Sequence, residues 1–85
     1  MDIKNYVELA KTKNKIASDN QLAKNLNISS GALNHFLTGK SCPSPETVLK
    51  IGKLAGLDEK KVLIDYLLFK YGKYENVKNV LKILK

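Results

Sequence analysis

Apolar residues recur along this chain at intervals of three and four, and short polar stretches rich in glycine, proline and serine cut them into segments. Ile3, Tyr6, Val7 and Ala10 share one face of a first helix, which the run TKNK at residues 12–15 ends. Ser18 with Gln21 three residues on has the spacing of a capping box, and Leu22, Ala23 and Leu26 form the inner side of the second helix it opens. Ser29 caps a third, with Ala32, Leu33 and Phe36 inward and Gly39 just past its last periodic residue. Pro43 and Pro45 interrupt the pattern before a fourth helix, capped by Ser44, that carries Val48, Leu49, Ile51, Leu54 and Ala55 and stops at Gly56.

Asp58 caps a fifth helix that runs to Gly72, and a sixth spans roughly residues 74–84. Val77, Val80, Leu81 and Leu84 share one face of this last helix and are expected to lie on the core, with Lys78, Lys82 and Lys85 opposite. The run Val62–Phe69 has the composition of a buried strand, but its cap and its continuation favour helix. The expected fold is all-α: a compact bundle of five or six helices forming a single domain over residues 1–85, with residues 58–84 given to packing and dimerisation.

Between the second and third helices stands a short joint around Asn27, with Ile28 to anchor it and the small Ala23 to let the helices cross closely. This is the geometry of a helix-turn-helix, spanning about residues 18–38, whose second helix keeps one face free. That face carries Ser30, Gly31, Asn34, His35 and Thr38 in place of the lysines and glutamates usual on an outer helix surface. Short side chains that donate and accept let a base edge approach closely, and Asn pairs in a bidentate way with adenine. Long charged side chains would hold the helix off the floor of a groove.

Composition narrows the classes. The net charge is +7, from fifteen lysines and no arginine against eight acids, which favours an anionic partner. The charge is concentrated towards the two ends, leaving the helix-turn-helix nearly neutral. One cysteine, Cys42, and one histidine, His35, permit no internal disulfide, no cysteine-rich metal site and no nucleophile–base–orienter set. No cofactor, metal, small-molecule ligand or enzymatic activity is expected. The charged, helix-patterned N-terminus is unlike a signal peptide, and Val62–Phe69, interrupted by Asp65, is far shorter than the roughly 20 residues of a membrane span. The expected setting is cytoplasmic.

The stretch LAKNLNISSGALNHFLTGKSCPSPETVLKIGKLAGLD, within residues 18–58, resembles the lambda-repressor/Cro-like (XRE-type) helix-turn-helix domains. Leu22-Ala23, Leu26, Ile28-Ser29, Leu33, Gly39-Lys40, Pro43 and Ala55-Gly56-Leu57 carry the likeness, and the ends look similar to small phage- or prophage-encoded members. The resemblance implies a compact bundle that binds double-stranded operator DNA through its third helix, as a symmetric dimer, and represses transcription. By position it implies Ser30, Gly31, Asn34 and His35 at base edges or nearby phosphates. It implies phosphate contacts at Ser18, Asp19 and Gln21, where the second helix begins, and at Thr38 and Lys40 in the loop after the third. Three departures stand out. Asn27 replaces a glycine but tolerates the left-handed conformation. Asp19 replaces a glutamine beside the phosphate. Ser30 and Gly31 replace longer readers, so recognition is expected to lean on DNA shape.

Seven of the eight residues in Val62–Phe69 are apolar, more than one helix face can bury. The last two helices are therefore expected to pack together and to offer Tyr66, Phe69, Tyr71 or Tyr74 to a second copy. Lipid binding by the last helix and RNA binding are the weaker readings. The rival from another class is a protein-interaction module, an antitoxin or anti-repressor, whose binding would survive high salt.

Overall fold

Caps and left-handed residues decide where the helices begin and end. The computed structural model describes residues 2–84. It has α1 (Ile3–Lys13), α2 (Asp19–Asn25), α3 (Ser30–Thr38), α4 (Pro45–Leu54), α5 (Glu59–Tyr71) and α6 (Glu75–Leu84), with no strand among the described residues. Ser18, Ser29 and Ser44 each accept, on Oγ, the N–H three residues on, at 3.3, 3.0 and 3.3 Å, and Asp58 Oδ1 accepts from Lys60 at 3.2 Å. Asp2 caps α1 in the same way, accepting from Asn5 at 3.2 Å. The Gln21 Oε1 reaches past Ser18 to the Ala17 N–H at 3.1 Å, so the capping box is one residue wider than expected. Gly39 closes α3 at φ 79°, and Asn27 takes φ 58° at the joint, the left-handed conformation anticipated for it.

The core joins the five helices that precede α6. Tyr6, Val7 and Ala10 of α1 meet Leu22, Ala23 and Leu26 around α2, Leu33 of α3, Val48, Ile51 and Ala55 around α4, and Val62 and Tyr66 of α5. α4 packs on α1 and on α5, α2 packs on α3, and α3 touches α1. Two polar ties fix the frame across long loops. Asn14 Nδ2 donates to the Leu54 carbonyl at 2.6 Å, joining the C-terminal ends of α1 and α4. Tyr6 Oη donates to Asp65 Oδ2 at 2.8 Å, which explains an acid inside the apolar run. Burial, followed by the bond to Asp65, pushes the Tyr6 phenol up to about 12.

Two expectations about the last helices are corrected. Tyr66 is only 1% exposed and belongs to the core, because α5 lies between α4 and α6 and has no free side at that position. It cannot be a contact offered to a partner. On α6 only Leu81 is buried; Val77, Val80 and Leu84 are exposed instead of core-facing, since α6 packs on α5 and the main core is already closed. The radius of gyration, 13.2 Å, exceeds the roughly 12 Å expected of 85 residues, in keeping with a last helix that leans on one neighbour.

Candidate nucleic-acid interface

Burial of Leu33, with Phe36 and Leu37 half-buried beside it, holds one side of α3 on the bundle and turns the opposite side outward. Ser30, Gly31, Asn34, His35 and Thr38 are all exposed on it. No acid occupies the first turn, and His35 is the only basic residue of the last. The surface is therefore polar and nearly free of fixed charge, so its chemistry is that of neutral donors and acceptors.

Thr38 differs from its expected place. It is the last residue of α3 rather than part of the following loop, because its Oγ1 donates to the Asn34 carbonyl at 2.9 Å and keeps the chain helical for one more residue. Its one hydroxyl hydrogen is thus engaged within the helix. Lys40 stays in the loop and is exposed. Its backbone N–H closes the turn on the His35 carbonyl at 2.9 Å.

At the start of α2, Ser18, Asp19 and Gln21 are exposed. Gln21 spends its side-chain oxygen on Ala17, leaving its amide N–H groups as donors. Asp19 is not open in the same sense: its Oδ1 lies 2.8 Å from Lys11 Nζ, which also lies 3.1 Å from Glu8 Oε1. The hydrogen bond from Asp19, then that from Glu8, raises the Lys11 ammonium above its ordinary range.

Two residues that the sequence pattern did not single out adjoin this surface. Asn20 and Lys24 of α2 line a hollow with Ile28, Ser29 and Ser30, beside the start of α3. Their spacing of four residues on the polar side of α2 was the available signal. The lysines of α1 separate by role. Lys4 shares a second hollow with Thr38, Gly39 and Lys40, Lys11 is held by acids, and Lys13 lies against Gly56.

A helix-turn-helix family model matches residues 13–61, more than half of the chain. The chain belongs to the Cro-type (XRE) helix-turn-helix family. It is a DNA-binding helix-turn-helix protein, and the matched span includes all of α2, α3 and α4 and the first turn of α5, leaving α6 outside. Neither curated proteins nor solved structures give a match. Among the described residues of this helix-turn-helix protein, no helix is long and apolar enough to cross a membrane.

Proposed function

We propose that this protein is a sequence-specific regulator of transcription, a repressor that acts as a dimer on an inverted-repeat operator in double-stranded DNA. The observation that carries the reading is the outer face of α3, with Ser30, Gly31, Asn34 and His35 exposed and no lysine or acid among them. On this reading α3 enters the major groove, and Asn34 supplies the strongest base contact. Ser18 and Gln21 at the start of α2, and Lys40 after α3, donate to phosphates and set the register. Asp19 stands beside the backbone there, and Thr38 joins only if its hydroxyl leaves the Asn34 carbonyl.

The dimer surface consists of Phe69, Tyr71 and Tyr74 together with Val77, Val80, Ile83 and Leu84, all exposed on α5, α6 and the turn between them. A contiguous apolar patch of this kind marks an interaction surface. Pairing two copies through it doubles a small footprint and sets two recognition helices roughly 34 Å apart.

The test is selection of bound duplexes from a random pool, with the winners measured again across a salt series. An enriched inverted repeat whose affinity falls steeply with salt supports the proposal. Absence of enrichment refutes it. The same apolar face favours one second reading, a module that holds another protein, and binding indifferent to salt would point there.

A further inference from the structure

Resting on the proposed DNA-binding reading, the geometry points to Asp19 as a brake on affinity, an internal stand-in for phosphate that holds Lys11 until DNA displaces it. Lys11 is bound more tightly than a surface lysine ordinarily is. Its Nζ lies 2.8 Å from Asp19 Oδ1 and 3.1 Å from Glu8 Oε1, and its side chain is only 20% exposed. The other ion pair among the described residues, Lys50 with Glu46, is longer at 3.6 Å, and both of its side chains are more exposed.

Asp19 is also the first residue of α2, at the positive end of the helix dipole. An anion that accepts from an ammonium while lying against a helix N-terminus fills the role a DNA phosphate would fill there. In a helix-turn-helix the first helix of the pair crosses the DNA backbone, which brings a phosphate towards this end. The cluster of one ammonium and two carboxylates carries a net negative charge, in a chain whose total is +7. A phosphate arriving at α2 therefore meets a carboxylate instead of a free lysine. Binding requires Lys11 to exchange Asp19 for the phosphate, or the phosphate to tolerate Asp19.

Because backbone contacts carry no sequence information, the brake lowers affinity for every duplex alike and leaves base preference intact. A single bound half-site is thereby kept weak, and stable occupancy depends on two half-sites held together.

The experiment measures binding of the full chain to its selected duplex, by fluorescence anisotropy across a salt series, for the native protein, Asp19→Asn, Lys11→Met and the double variant. Asp19→Asn is expected to bind about three- to tenfold tighter near 0.1 M salt, the worth of one unit charge at close range in a high-dielectric surface. Its salt slope should steepen by about 0.9, one more phosphate neutralised, with the ranking of sequences unchanged. In the Lys11→Met background the gain from Asp19→Asn should shrink by at least half on a logarithmic scale. No tightening in Asp19→Asn, together with a lower melting temperature, would mean that the pair is a structural link between α1 and α2 and would overturn the proposal. An equal gain in both backgrounds would also overturn it, since Lys11 would then play no part. If the native chain binds no duplex at all, the DNA-binding reading fails first and the brake goes with it.

Discussion

α4 and α5 approach so closely at Gly52 that a single methyl group tests the packing. A Cβ built on Gly52 would stand 2.8 Å from Val62 Cγ2, 3.0 Å from Cγ1 and 3.3 Å from Cβ. Carbon atoms in a packed core sit about 3.5–4.0 Å apart, so both Val62 methyls are crowded at once. Val62 is fully buried and β-branched, and turning about χ1 only exchanges one methyl for the other. α4 cannot simply retreat, because its other side packs on α1. Two effects compete in Gly52→Ala. Helix propensity favours alanine by about 1 kcal/mol, while overpacking a full core costs roughly 1–3 kcal/mol. With two methyls hit, overpacking wins, and a net loss of about 1–2 kcal/mol is expected, read as a lower urea midpoint at 222 nm with an unchanged m-value. In a Val62→Ala background the crowding is gone, and Gly52→Ala should become stabilising, with a coupling energy of about 1 kcal/mol or more. Equal or greater stability of Gly52→Ala in the native background, or simple additivity with Val62→Ala, would refute the reasoning.

Three further outcomes follow from named contacts. Tyr6→Phe removes the bond to Asp65 and should cost about 1 kcal/mol at neutral pH, the low end for a charged acceptor that is itself partly exposed. The folded-state phenol lies at about 12, above an unfolded value near 10, so its stabilisation is complete below pH ~10 and is lost as pH rises towards 12. Urea midpoints from pH 9 to 12 should therefore converge between native and Tyr6→Phe proteins. Asn34→Ala should weaken binding to the selected duplex by about 1–3 kcal/mol while leaving a scrambled duplex unaffected, measured by competition. Ile83→Glu, at a side chain 84% exposed, should leave the melting temperature of dilute protein unchanged but abolish the dimer in sedimentation. It should also lower operator affinity by about 100-fold or more, the loss of linked binding.

Most of the helix boundaries were legible because short-range chemistry sets them. Ser18, Ser29, Ser44 and Asp58 each act on an amide two or three residues away, and Asn27 needs only its own tolerance of positive φ. What stayed hidden depends on partners distant in the chain. Asp65 looked like an interruption of an apolar run until Tyr6, 59 residues away, supplied its hydrogen bond. Lys11 and Asp19 lie on different helices, so the spacing rules for pairs on one helix face do not reveal them. Periodicity showed that α6 has an apolar face but not what covers it. That depends on whether the bundle still has open core when α6 arrives, and Tyr66 and Val62 had already closed it.

That last point bears on how recognition and affinity divide between elements. A nearly neutral α3 can approach a groove closely, yet it contributes little of the Coulombic attraction that dominates binding to DNA. On the proposed reading, attraction must come from α2, the loop after α3, and the lysines of the flanking helices, and Asp19 subtracts from it. A single half-site is then too weak to hold the protein, and the deficit is made up only when a second copy is joined through α5 and α6. The exposed apolar face of α6 and the captured Lys11 thus bear on the same quantity from opposite sides. Loosening the brake should lessen the dependence on the dimer, so Asp19→Asn combined with Ile83→Glu should recover part of the operator affinity that Ile83→Glu alone loses. Recovery would not extend to the preference for an inverted repeat, because that preference requires two recognition helices held in a fixed relation.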